Sequence, residues 1–325
     1  MRQLTYILIA LVFLSCKSDY KESKVFNLSK KFENQNYEYH FLSNLDTILI
    51  SKKGNKYFLN NNSFKKYEKD TIEVRIFEFF EKSNLIKNNI RTLTEKGELL
   101  ESKGVIKIEF YTNSEKIKDD KKIKVVPVSN NYLDCKIYYD SMEDVKQINW
   151  KEQSDMLVQI EYPNPNYGFI NTIIEIPLDS LEYHTKIRDS IYEKFEISEL
   201  EKVKSDIITF FSINNNLLIN IDKLIDTPLK KDLNFNCKPK DKYEDYIVYV
   251  IYENLNSFVS FYLTGNDLTI KQLPITGNAK GIIVTYADDK VLYDEFIINE
   301  NSDNNIKINL KQIELEAFKE ILTSY

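Results

Sequence analysis

Groups able to do chemistry are few in this chain. Its 325 residues include 2 His and 3 Cys against 50 Asp and Glu. His40 and His184 are far apart, neither has a second ligand at metal spacing, and no H-E-x-x-H or pair of cysteines two apart occurs. No metal ligand is assigned, and an acid-rich calcium loop with a central Gly is also missing. Each histidine reads as a hydrogen-bonded core side chain: His184 on an apolar helical stripe, His40 in a strand among aromatics. There is no G-x-S-x-G elbow of the common serine hydrolases. With only 7 Gly there is no P-loop or dinucleotide fingerprint, so no cofactor is expected. Carboxylates are the plentiful catalytic groups. Glycoside hydrolysis needs two of them about 5 to 10 Å apart across a cleft, and no pair stands out. Asp288 and Asp289 are adjacent but suit a hairpin turn for backbone reasons. No catalytic residue is assigned.

The amino terminus is more telling. Arg2 precedes an apolar run from Leu4 to Leu14, and the run closes on Phe13-Leu14-Ser15-Cys16. A basic start, an apolar centre and a small residue before the cut are the parts of a secretory signal peptide. The run is shorter than the about 20 residues of a membrane span. The cysteine after Ser15 resembles the lipobox of bacterial lipoprotein precursors, with Phe13 where that family prefers Leu. The resemblance covers residues 1–16. It implies cleavage before Cys16, lipidation of its sulfur, an acylated new terminus, and a membrane as partner, since two or more acyl chains make a stable anchor. Residues 16–25, the acylated Cys16 and the polar stretch after it, read as a tether. Lys17 is not the aspartate associated with inner-membrane retention in such lipoproteins, so the resemblance points to the outer membrane, with the periplasmic or surface face open.

The net charge is −6. Basic and acidic residues are mixed along the chain, which leaves no footprint for nucleic acid and no polybasic patch for anionic lipid. The 22 Tyr and 19 Phe, beside abundant Ile, fit pleated, half-buried surfaces. Cys135 and Cys237 remain after Cys16. Two readings stand for them in an exported protein: a disulfide, or two separate buried thiols.

The expected fold class is α+β, predominantly β, built of antiparallel hairpin and meander sheets with a central helical hairpin and a C-terminal amphipathic helix. After the signal peptide (1–15) and tether (16–25), residues 26–113 form an N-terminal β-rich region. There Tyr37 to Leu42, Thr47 to Ile50 and Lys56 to Leu59 read as strands. In Thr71 to Ile76 the alternation puts Ile72, Val74 and Ile76 on one face. Lys96-Gly97 and Lys103-Gly104 read as turns. Residues 114–178 are a second β-rich region containing Tyr162-Pro163-Asn164-Pro165-Asn166-Tyr167-Gly168. Tyr162 and Tyr167 flank that stiff loop and form a candidate binding loop, a plain turn being the other reading.

Residues 179–226 read as the helical hairpin. Its first helix carries Leu181, His184, Ile187, Ile191 and Phe195; a second, capped by Ser198, carries Leu200, Val203, Ile207, Phe210 and Phe211. Residues 227–325 read as an antiparallel meander of about six strands, from Tyr246 to Leu310, closed by a helix bearing Ile313, Leu315, Phe318, Ile321 and Leu322.

The functional expectation is a membrane-anchored envelope lipoprotein that does no catalysis and binds an envelope protein or a glycan, or serves as a structural accessory; an immunity-like role is one form of this. The competing expectation is a lipid-anchored hydrolase of envelope polysaccharide using paired carboxylates. An aromatic-lined cleft with paired acids and a raised carboxyl pKa would favour the enzyme. An exposed aromatic patch without convergent acids would favour the binder.

Overall fold

The computed structural model describes residues 21, 23–25, 37–43, 46–67, 70–118, 121–128, 132, 134–140, 148–162, 172–194, 208–227, 229–238 and 242–325. The leader, Cys16, Tyr167 and most of the tether lie outside these residues, and so do residues 198–207 of the expected second helix. The described residues are mostly strand, in several sheets that are antiparallel except for one parallel pairing, with few helices.

Two sheets form a sandwich. One contains β1 (Glu38–Leu42), β4 (Ile72–Phe79), β5 (Leu100–Thr112), β6 (Glu115–Lys116), β8 (Cys135–Asp140), β9 (Lys151–Asp155) and β13 (Leu218–Leu224), ordered β1-β4-β5-β13-β8-β9 with β6 on β5. The other contains β2 (Thr47–Ile50), β3 (Lys56–Leu59), β7 (Lys122–Val126), β10 (Leu157–Tyr162), β11 (Thr172–Pro177) and β12 (Ile208–Asn214), ordered β11-β10-β12-β7-β3-β2. Period-2 alternation sends Ile72, Val74 and Ile76 inward from β4, Ile108 and Phe110 from β5, and Tyr57, Val125, Val158 and Phe211 from the facing sheet into one core. Strands of all three segments 26–113, 114–178 and 179–226 share these two sheets.

The carboxy-terminal region adds two more sheets. Five strands, β15 (Asp245–Tyr252), β16 (Phe258–Thr264), β18 (Ala279–Ala287), β19 (Lys290–Ile298) and β21 (Lys311–Ile313), run in the order β16-β15-β18-β19-β21. Three more, β14 (Leu229–Cys237), β17 (Thr269–Ile275) and β20 (Asn305–Ile308), run β17-β14-β20, the β14–β20 pair being parallel. The apolar run of β15 is explained by burial on both faces. Tyr246, Val248 and Val250 enter a core shared with the three-stranded sheet. Ile247, Tyr249 and Ile251 enter another, against Phe77, Phe79, Val105 and Leu218 on the outer side of the seven-stranded sheet. Helix α1 (Lys82–Lys87) and helix α3 (Leu315–Thr323) add Leu85, Phe318 and Leu322 to that second core.

Several sequence expectations are corrected here. The first helix of the expected hairpin exists as α2 (Leu181–Lys194). The far end of the second is strand β12, in which Phe211 faces the sandwich core while Phe210 lies under Lys124. Ile208-Thr209-Phe210-Phe211-Ser212-Ile213 is β-branched and aromatic, and pairing with β7 and β10 satisfies that preference. The carboxy-terminal strands divide between two sheets rather than forming one meander, because β14 draws β17 and β20 to itself. Gly104 is no turn: it sits inside β5 at a bulge opposite Ile221 and Asp222, where a Cβ would lie 2.5 Å from the Phe80 ring.

Beside that bulge, Ser102 Oγ donates to Asn220 Oδ1 (2.9 Å) and Asn220 Nδ2 donates to the Asp222 carboxylate. Asp222 is fully enclosed, and among the described residues its Oδ1 has no hydrogen-bond partner. Burial holds its pKa well above the usual carboxylate range. The folded state therefore binds the proton more tightly than the unfolded chain. The stability it supports is complete below the ordinary value of about 3.9 and declines as pH rises through the raised folded value. Asp222→Asn is expected to stabilise the protein by about 1–3 kcal/mol at pH 8 and to flatten that decline. Urea unfolding of both proteins from pH 4 to 9 measures it, and an unchanged slope would refute the assignment.

Candidate binding face

Alternation that sends one side of β1 and β4 inward sends the other side out. Tyr39 and Phe41 project from β1 at 52% and 67% exposure. The register sets Tyr39 beside Arg75 and Phe41 beside Glu73 on β4, which in turn pairs Arg75 with Glu109 and Glu73 with Tyr111 on β5. The Arg75 guanidinium carbon lies 3.7 Å from the centre of the Tyr111 ring, 5.6 Å from that of Tyr39 and 5.9 Å from that of Tyr37, within cation–π range. Arg75 Nε donates to Glu73 Oε1 at 2.5 Å.

Beneath this rank, Glu109 is buried and accepts from Lys116 (2.7 Å), Lys107 (3.0 Å) and the Tyr111 hydroxyl (3.1 Å). Burial disfavours its charge, but the two ammonium groups outweigh burial and hold its pKa below the usual range. The surface is therefore aromatic planes around a guanidinium, with its charges answering one another.

The rank runs into a cleft of about 430 Å³ lined by Tyr37, Glu38, Lys52, Lys53, Glu78 and Asn84. The rings of Tyr37 and Tyr39 are 6.0 Å apart, so the two features are continuous. Glu38 lies opposite Ile76, two residues from Glu78 on the same strand face. Glu78 Oε1 accepts from Ser51 Oγ (2.9 Å), Asn55 Nδ2 (2.7 Å) and the Tyr57 hydroxyl (2.7 Å). Glu38 Oε1 lies 2.6 Å from His40 Nε2, and its Oε2 accepts from the Lys52 backbone N–H at 2.8 Å. Both carboxylates line the cleft, a placement no local pattern in the sequence nominates, and both are engaged in holding β1, β4 and the β2–β3 turn together.

The other residues singled out by sequence are dispersed. Tyr162 ends β10, paired with Thr172, and the loop beyond it lies outside the described residues. Cys135 opens β8 in the sandwich core, while Cys237 ends β14 against the core of the three-stranded sheet. Both are thiols, in separate cores. Burial pushes the Cys135 thiol up to about 11, which leaves it protonated and a poor nucleophile at neutral pH. His184 is half-buried on α2, edge-on to Tyr183, and half-buried His40 stands beside Glu38. Asp288 and Asp289 form the β18–β19 turn with φ of 50° and 56°, the left-handed pair a two-residue hairpin requires. Among the described residues no group of three or more His, Cys, Asp or Glu could hold a metal, and no helix is long and apolar enough to cross a membrane.

The spacing Tyr37-x-Tyr39-x-Phe41 carried a strand signal. Which side faced out depended on a register with Arg75 and Tyr111 that no local pattern encodes. No protein-family model, curated protein or solved structure matches this chain, so its functional reading rests on the face itself.

Proposed function

We propose that the protein is an envelope lipoprotein, anchored through lipid on Cys16, that binds its partner without catalysis through the Tyr39–Phe41–Arg75–Tyr111 face. The observation that carries the binding role is the pair of exposed rings, Tyr39 and Phe41, beside an arginine stacked on Tyr111. Tyr and Arg dominate the energetically decisive contacts of binding surfaces. The anchor is supported by the Phe13-Leu14-Ser15-Cys16 leader, and the lipobox resemblance favours the outer membrane.

Glu38 and Glu78 share a cleft, which is what a carboxylate hydrolase would need. Against that use, Glu78 is spent on three hydrogen bonds. The carboxyl held well above its range, Asp222, is enclosed beyond a substrate's reach.

Crosslinking of the envelope-resident protein followed by mass spectrometry tests the face. Alanine at both Tyr39 and Phe41 is expected to reduce partner recovery at least tenfold, about 1.4 kcal/mol. The melting midpoint should be nearly unchanged, because both side chains are exposed. Undiminished recovery would overturn the assignment of the face. Cys16→Ala is expected to release the protein from the membrane fraction, and retention there would overturn the anchor.

A further inference from the structure

We infer that the ligand of this face is a neutral, extended oligosaccharide of β-linked pyranoses, with one sugar seated in the cleft and the chain continuing over Tyr39 and Phe41. The inference rests on the binding role proposed above and adds the chemistry of the ligand.

Three observations select it. The charges of the face are answered inside it: Arg75 by Glu73, and Glu109 by two lysines. A charged partner would have to break those pairs, whereas an uncharged one need not. Polar capacity is nonetheless concentrated in the cleft. The Glu38 carboxylate and the Glu78 oxygen outside its three internal bonds can accept, and Lys53 and Asn84 can donate, around a volume within the range of small-molecule sites. Acceptors and donors in one cleft suit the vicinal hydroxyls of a sugar, each of which both donates and accepts.

The third observation is shape. Tyr39 and Phe41 present their rings on the outer side of an extended strand. A β-linked pyranose chain is itself flat and extended, with apolar C–H faces that stack on aromatic planes. Its hydroxyl edges remain wet or reach the polar groups alongside, so stacking costs little desolvation.

The test is calorimetric titration of the purified full chain with tetra-N-acetylchitotetraose and cellotetraose, both neutral, with maltotetraose, an α-linked and coiled chain, as the contrast. The expected result is saturable binding of at least one β-linked probe with Kd at or below about 1 mM. Maltotetraose should bind at least tenfold more weakly. The double variant Tyr39→Ala with Phe41→Ala should weaken the β-linked probe at least tenfold, and Lys53→Ala severalfold, at unchanged melting midpoint.

Absence of binding by both β-linked probes would overturn the inference. So would binding that both variants leave untouched, or equal affinity for the α-linked chain. The crosslinking experiment keeps the two proposals apart. No oligosaccharide binding together with capture of a stoichiometric protein, lost in the Tyr39 and Phe41 variant, would refute the glycan and leave the binding face standing. Loss of both would refute both.

Discussion

Trp150→Ala is expected to lower the unfolding free energy by about 3–5 kcal/mol, a large share of the about 5–15 kcal/mol of a typical domain. Trp150 is fully buried in the core between the seven-stranded sheet and the carboxy-terminal region. Its indole N–H donates to the Arg91 carbonyl at 2.6 Å. Arg91, itself buried, reaches from there to the Ile148 carbonyl (2.6 Å) and to the Asn149 side chain. Next in sequence, the Thr92 backbone N–H donates to the Phe258 carbonyl at 2.8 Å. Truncating the indole opens a cavity and leaves a buried carbonyl without its donor, so transfer, cavity and hydrogen-bond losses act together. Trp150→Phe keeps most of the volume and loses the donor, and a loss of about 1–2 kcal/mol is expected. Denaturant unfolding followed by far-ultraviolet circular dichroism measures both, since the chain has a single Trp and the tryptophan fluorescence signal is lost in both variants. A loss below about 1 kcal/mol for the alanine variant would show that this core is not a cooperative part of the fold.

The second large effect is expected at Glu78. One of its oxygens receives the donors of Ser51, Asn55 and Tyr57, all buried. Burial, with the Glu78 carboxylate next, holds the Tyr57 phenol pKa well above its ordinary value, so it keeps its proton and donates its hydrogen bond to Glu78 throughout the working range. Glu78→Leu strands three donors. At about 1–3 kcal/mol each, and with coupling among neighbours, a loss of about 3–5 kcal/mol follows. Glu78→Gln retains an acceptor oxygen and is expected to cost about 1 kcal/mol. Equal losses for Leu and Gln in urea unfolding would mean that charge, rather than acceptance of these bonds, is what the site requires.

Local periodicity made some of this structure legible. The alternation of Ile72, Val74 and Ile76 identified β4 and its inner face. The Asp288-Asp289 turn marked the β18–β19 hairpin, and Phe318 and Leu322 marked the buried stripe of α3. Each signal lies within a few residues of itself. By contrast β13, Leu218-Ile219-Asn220-Ile221-Asp222, hides a central strand because two polar side chains are buried on its second face. In β14 only Leu233 and Phe235 are buried, between charged and polar neighbours, too thin an alternation to read. The candidate site was the least legible part. Glu38 and Glu78 are 40 residues apart, and they share a cleft only because β1 pairs with β4 in one register. The aromatic rank likewise depends on three strands whose pairing is long-range.

Because β13 is inserted between β5 and β8, the chain cannot complete its first sheet until it has reached residues 218–224. Every nascent or clipped form ending earlier would leave β5 and β8 as two further open strand edges besides β1 and β9, each offering unpaired backbone groups to another molecule. Such non-local closure slows folding and lengthens the time those edges are exposed. Loss of the last hundred residues also uncovers the outer side of that sheet, including Phe77, Val105 and Leu218. A chain that stops short of β13 thus differs from the completed sheet by two added open edges and an uncovered apolar side.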